Sequence, residues 1–247
     1  MIKRVLTVGG VFGLISIALA ATAIAGGGGG GCGPGKCTFS DWTATANFTP
    51  AAGGEYSNVS VYVDRGKQTF RPKKGTGTPF TQEGTILQVN ESKADGTFAF
   101  GCWMLKDSSK FVVASDLSSA SITYSATADE VCGGIPVGKA AGARPGLQSV
   151  IAMGGPGPGP GTQLTTVSVS VTWTGNGALW QNSNSGSSRC ESYHATFKGT
   201  FDYEYAPATG TVDDLTGTSD PYSQIGHNTQ VNTSNGIPSG ACNPPGF

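Results

Sequence analysis

The sequence predicts an all-β protein: an antiparallel β-sandwich, Ig-like or jelly-roll-like, with a long Gly/Pro-rich loop inserted. Three observations lead there. Apolar residues recur at every second position in run after run, the habit of strands with one buried and one wet face. Asx-Gly pairs of the kind that supply positive φ at low cost separate several of the runs. No run beyond the N-terminal segment repeats at helical spacing.

The runs follow in order. Trp42, Ala44, Ala46 and Phe48 share one face of a first strand, and Val59, Val61 and Val63 one face of a second. Asp64-Arg65-Gly66 reads as a turn, and Thr85 to Val89 as a short strand. After the Asp95-Gly96 turn, Phe98, Phe100, Cys102 and Met104 share a face with Trp103 opposite. Phe111 to Ala114 and Ser121 to Ala126 add two strands. Val167, Val169, Val171 and Trp173 alternate with Ser and Thr more clearly than any other run. Asn176-Gly177 marks a turn, and Gly177 to Asn184 a polar loop. Tyr193 to Tyr205 alternates for thirteen residues.

The organisation follows from composition. Residues 1–25 read as a signal peptide: basic Lys3 and Arg4, apolar Val5 to Ala20, then small-x-small Ala23-Ile24-Ala25. Uncut, that stretch is long enough to span a bilayer, but Gly9, Gly10 and Gly13 weaken a helix there. Lipid attachment at Cys32 lacks the apolar box that should precede it. Residues 26–36 read as a Gly-rich flexible tether, and residues 37–247 as one sandwich domain. Its Gly/Pro-rich loop covers about residues 133–161, and an irregular tail starts near residue 220. These features predict a secreted, extracellular protein with cell-envelope association and no membrane span after cleavage.

Six cysteines in an exported chain predict three disulfides. Nearest-neighbour pairing gives Cys32–Cys37, Cys102–Cys132 and Cys190–Cys242, although spacing alone allows fifteen arrangements.

Function classes narrow by exclusion. A net charge of −1 with 15 basic residues gives no global reason to bind nucleic acid. No Gly-x-Ser-x-Gly elbow, His-Glu-x-x-His helix or P-loop is present, so no cofactor, metal or catalytic residue is assigned. His194 reads as a surface strand residue and His227 as a loop residue. Asp202 and Glu204 read as a solvated strand face. The run Asp213 to Asp220 is oxygen-rich, a loose fit to calcium without EF-hand spacing.

Arg65, Lys67, Arg71, Lys73 and Lys74 form a basic stretch. It reads first as a charged loop guarding a strand edge, second as a dock for an anionic envelope polymer. Trp180, with Asn182 and Asn184 close by, is the candidate ligand site: an indole to stack on a sugar ring and amides to bond its hydroxyls. The competing reading folds Leu179 and Trp180 back over the sandwich end. The expectation is a non-enzymatic binding or structural protein whose partner is an envelope polysaccharide or an extracellular protein. A polysaccharide hydrolase with a carboxylate pair and a secreted enzyme inhibitor are the alternatives.

Overall fold

The computed structural model describes residues 34–50, 54–132, 162–190 and 193–236. Within them the chain is almost entirely strand, arranged as two sheets. The strands are β1 (Gly35–Phe48), β2 (Tyr56–Pro72), β3 (Phe80–Lys93), β4 (Phe98–Met104), β5 (Phe111–Val113), β6 (Ser119–Ala126) and β7 (Thr162–Gln163). They continue with β8 (Val167–Thr174), β9 (Leu179–Cys190), β10 (Tyr193–Tyr205), β11 (Ala208–Val212), β12 (Leu215–Thr218) and β13 (Gln224–Ser234). The large sheet runs β7-β4-β3-β2-β1-β13-β10-β9, and the small one β12-β11-β8-β6-β5. All pairs are antiparallel except β4 with the two-residue β7.

The core lies between the sheets. The large sheet contributes Ala44, Ala46, Val59, Val61, Val63, Leu87, Val89 and Trp103; the small one contributes Phe111, Ile122, Val169, Val171 and Trp173. Each fully buried Val, Leu, Ile or Phe side chain among them stabilises by roughly 1.5–3 kcal/mol. Both core indoles also satisfy their N–H groups: Trp103 donates to Thr165 O at 3.1 Å and Trp173 to Thr45 O at 2.8 Å. Gly101 precedes Trp103 by two residues on the same face, and the indole occupies the space a Cβ there would need.

Strand length sets the rest. β2 has 17 residues and β8 only eight, so the small sheet cannot cover the large one end to end. Ala44, Val63, Leu87 and Ile225 lie in one cross-strand row and belong to the core. Trp42, Arg65, Thr85 and His227 form the next row on the same face, and Arg65 closes off the small sheet by donating to Phe111 O at 3.1 Å. Beyond that row β1, β2, β3, β13, β10 and β9 overhang the small sheet, with a polar face on its side and an opposite face that carries Phe39, Phe70, Phe197 and Phe201.

Several expectations change here. Asp64-Arg65-Gly66 is mid-strand, with Gly66 paired to Asp41 on one side and Gly84 on the other. The basic stretch lies largely in β2, an interior strand, so Arg65, Lys67 and Arg71 guard no edge. Gln224–Ser234, expected in the irregular tail, is instead strand β13, which pairs with both β1 and β10. Gly35 and Lys36, expected in the flexible tether, already pair as part of β1, Gly35 with Ser234 and Pro72. The region of residues 1–33 and the Gly/Pro-rich residues 133–161 lie outside the described residues.

The Cys102–Cys132 disulfide forms as expected, with Cα atoms 5.2 Å apart. Cys132 N–H also donates to Cys102 O at 2.7 Å, so the bridge fastens Val131 alongside Trp103. Cys37 is disulfide-bonded too, while Cys32 and Cys242 lie outside the described residues.

Two predictions follow from this packing. Gly101→Ala will destabilise by roughly 1–3 kcal/mol through overpacking against the Trp103 indole. Gly84→Ala, with open space at its Cβ, will leave the melting temperature nearly unchanged; equal shifts in thermal melts would refute the packing argument. Replacing Cys102 and Cys132 by Ser will cost roughly 3.5–4 kcal/mol, from a closed loop of about 30 residues. Urea titration of the double variant checks it.

Candidate functional site

The site begins at a turn. Residues 175–178 carry the chain from β8 in the small sheet to β9 in the large one. Asn176 Oδ1 accepts from Ala178 N–H at 3.0 Å, and Gly177 takes φ +81°. Glu204, expected on a solvated face, is instead buried under this turn and accepts the Gly177 N–H at 2.5 Å. A buried carboxylate at the backbone of a tight turn fixes where β9 starts.

That start orients Trp180. Leu179 pairs with Glu204 on the inner side, so Trp180 and every second residue after it face away from the small sheet. Trp180 lies opposite Tyr203, Asn182 opposite Phe201 and Asn184 opposite Gly199. The three residues read as a loop therefore occupy one face of an edge strand. Trp180 is 55% exposed and Leu179 47%, which overturns the reading that buries them over the sandwich end.

Neighbouring rings extend the platform. Trp180 and Tyr203 are nearly parallel, 9° apart with centroids at 6.2 Å. Phe201 stacks on Tyr203 at 5.5 Å, and Tyr205 meets Tyr203 edge-on at 5.8 Å. Tyr222, 72% exposed, meets Tyr205 edge-on at 6.4 Å. Glycines clear the ground beside them. Gly226 pairs with Tyr203, and a Cβ there would press on Thr43 Oγ1 and the Phe201 ring. The result is a strip of five aromatic side chains bordered by Asn182 and Asn184, both exposed.

The same outer face carries two acids. Phe201, Asn228, Asp41 and Gly66 lie in one cross-strand row; Tyr203, Gly226, Thr43 and Asp64 lie in the next. Burial pushes the Asp41 carboxyl up to about 6, against a hydrogen bond from Asn228. Burial, reinforced by the Asp41 charge, pushes Asp64 up to about 7, against the Tyr62 O–H it accepts at 3.3 Å. Asp64 Oδ1 is buried with no hydrogen-bond partner. Gly66 matters here, because Asp41 Oδ1 lies 3.0 Å from where its Cβ would be. The pair escaped the sequence reading because Asp64 looked like a turn residue and Asp41 lies 23 positions away. The available signal was Asp41 itself, an acid within an alternating run where β-propensity disfavours it.

The remaining candidates serve structure. Asp213 Oδ1 accepts Ser168 N–H at 2.8 Å, and Asp220 Oδ1 accepts from Tyr222 N–H and Ser223 Oγ at 3.1 Å each. Among the described residues no three His, Cys, Asp or Glu side chains group as a metal site. His194 is exposed in β10. His227, expected in a loop, is in β13, stacked on Trp42 at 3.8 Å and hydrogen-bonded to Ser40 Oγ at 3.1 Å. It faces the side opposite the aromatic strip, next to Asp202.

The acid pair makes stability depend on pH. Both folded-state values are raised, so the native state holds protons that the unfolded chain releases. The contribution is complete below the ordinary carboxyl value near 4 and is lost as pH rises through about 6 and 7. Melting temperature should therefore fall between about pH 5 and pH 8 from this source. Asp64→Asn should flatten that slope and melt higher than the parent at the alkaline end. An unchanged slope would remove the pair from the explanation.

No family model matches the chain, and neither the curated proteins nor the solved structures contain a significant match to it.

Proposed function

We propose that this is an exported, non-enzymatic binding protein of the extracellular space or cell envelope that holds a glycan chain against β9 and β10. The observation that carries the reading is Trp180: a half-exposed indole, nearly parallel to Tyr203, with two exposed amides on its own strand face. Large aromatic faces left in water at an edge strand carry a hydration cost that a ligand removes. The flat apolar side of a sugar ring fits such a face, and the Asn182 and Asn184 amides offer donors and acceptors to its hydroxyls. β10 is bonded on both sides and holds Phe201, Tyr203 and Tyr205 in place, so the ordering entropy that opposes binding is confined largely to β9.

The finer architecture we propose is an Ig-like or jelly-roll-like sandwich enlarged to thirteen strands among the described residues. An extracellular protein in place of a polysaccharide is the rival partner.

A second reading, polysaccharide hydrolysis, draws its support from Asp41 and Asp64. Two interacting carboxyls on the aromatic face, raised toward neutrality, are what acid–base cleavage of a glycosidic bond requires. Glycan release that disappears in both Asp41→Asn and Asp64→Asn would favour it.

The binding reading is tested by co-sedimentation of the oxidised protein with insoluble neutral polysaccharides and cell-wall fractions. Pelleting is expected, and Trp180→Ala should weaken it about tenfold or more, as for a central aromatic anchor. Pelleting that survives Trp180→Ala unchanged would move the ligand off this strip. No pelleting with any glycan would leave a protein partner as the favoured reading.

A further inference from the structure

The overhang has a second face, on the side of the small sheet but beyond its reach, and it is basic. Lys36 on β1, Lys67 and Arg71 on β2, Lys198 on β10 and Arg189 on β9 all project from it, and all five are exposed. Among the described residues only two acids share the face: Glu83, paired with Lys67 at 3.4 Å, and half-buried Asp202. Among the described residues Lys36, Arg71, Arg189 and Lys198 form no ion pair.

The arrangement works against the fold. Lys36 and Arg71 are directly opposite each other on paired strands. Like charges in that register destabilise a sheet. Among the described residues no acid pairs with either of them. The segments outside the described residues carry the cations Lys3, Arg4, Lys139 and Arg144 and, in acids, only Glu191. Acids that could have neutralised the patch gather at the other end of the strands, where Glu55, Glu91, Asp213 and Asp214 feel one another's charge. A chain of net charge −1 is thus divided into a basic end and an acidic end.

Hydroxyls fill the ground between the cations. Thr196 and Thr233 bond at 2.6 Å, Thr200 and Thr229 at 2.7 Å, and Thr69 and Thr81 at 3.2 Å across the strands. Lys198 and the β1–β2 cations flank β13, two to three strand spacings apart, about 10–14 Å.

We propose that this face docks an anionic polysaccharide. Its carboxylate or sulfate groups would supply the missing counter-charge, and its hydroxyls would exchange hydrogen bonds with the threonine rows. The choice over nucleic acid rests on the side chains present. The face carries hydroxyls where base stacking needs exposed rings, and its one indole, Trp42, is half-buried and already stacked on His227. The inference does not depend on the aromatic strip, which faces the opposite way.

The test is retention of the full chain on immobilised polygalacturonate and dextran sulfate, with uncharged dextran as reference. Retention by the anionic chains alone, released by added salt, is expected, because surface charge contacts are screened. The triple variant Lys36→Gln, Arg71→Gln, Lys198→Gln should bind about tenfold or more weakly. Lys93→Gln, at the end of β3 opposite to Glu83, should bind like the parent. Trp180→Ala should also keep full anionic binding, which separates this proposal from the glycan strip. Thermal melts of each variant confirm folding, and Arg189→Gln with Lys198→Gln serves if the triple variant fails to fold. Equal retention on dextran, an unaffected triple variant, or stronger binding to DNA or to anionic lipid vesicles would each overturn the assignment.

Discussion

Each long strand of the large sheet must satisfy two environments, because the small sheet spans only half its length. Where β1 and β2 run under the small sheet, Ala44, Ala46, Val61 and Val63 meet β8 and β6 in a sealed core. Where they run past it, the same face carries Lys36, Ser40, Lys67 and Arg71. Hydrogen bonding along the strands is continuous through this change. The core therefore acts as a clamp at one end of a cantilever, and the overhang takes its order from ladders rooted in that clamp.

The clamp explains why polar groups appear in costly positions. Glu204 is buried, yet its carboxylate holds the Gly177 N–H and so sets the register of β9. Glu130 is buried as well, and receives the Thr127 N–H, the Lys106 N–H and the Tyr124 O–H. Both acids are satisfied by backbone groups, the arrangement that makes a buried carboxylate tolerable. Asp64 differs, since one of its oxygens is buried without a partner. Unsatisfied atoms of that kind mark a site under some demand other than stability.

The clamped half of the fold was legible in the sequence. Val167 to Trp173 alternates because every second side chain enters the core, and the structure buries those same four residues. Asp95-Gly96 and Asn176-Gly177 formed turns because Gly96 and Gly177 adopt positive φ. In the overhang β10 was legible, since Tyr193 to Tyr205 alternates along its whole length. Elsewhere in the overhang, with no small sheet to cover them, the strands need no apolar alternation. β9 is built from Ser, Asn and Gly, which read as loop, and it is a strand only because β10 offers it a ladder. The second half of β2 hid behind its cations in the same way. The site was half legible: Trp180, Asn182 and Asn184 stood out as residue types, but their shared face and their partners Tyr203 and Phe201 came only with the pairing.

The edge position of β9 bears on how a ligand would be felt by the whole chain. A strand bonded on one side only, with little apolar surface of its own, opens locally at far lower free energy than the core strands do. Its amides will exchange with solvent long before those of β8. Any molecule that spans Trp180 and Tyr203 touches both strands of that hairpin at once. Occupancy would then register as slowed amide exchange running down β9 toward Arg189, well beyond the rings in contact. The edge strand would thereby report on its own occupancy.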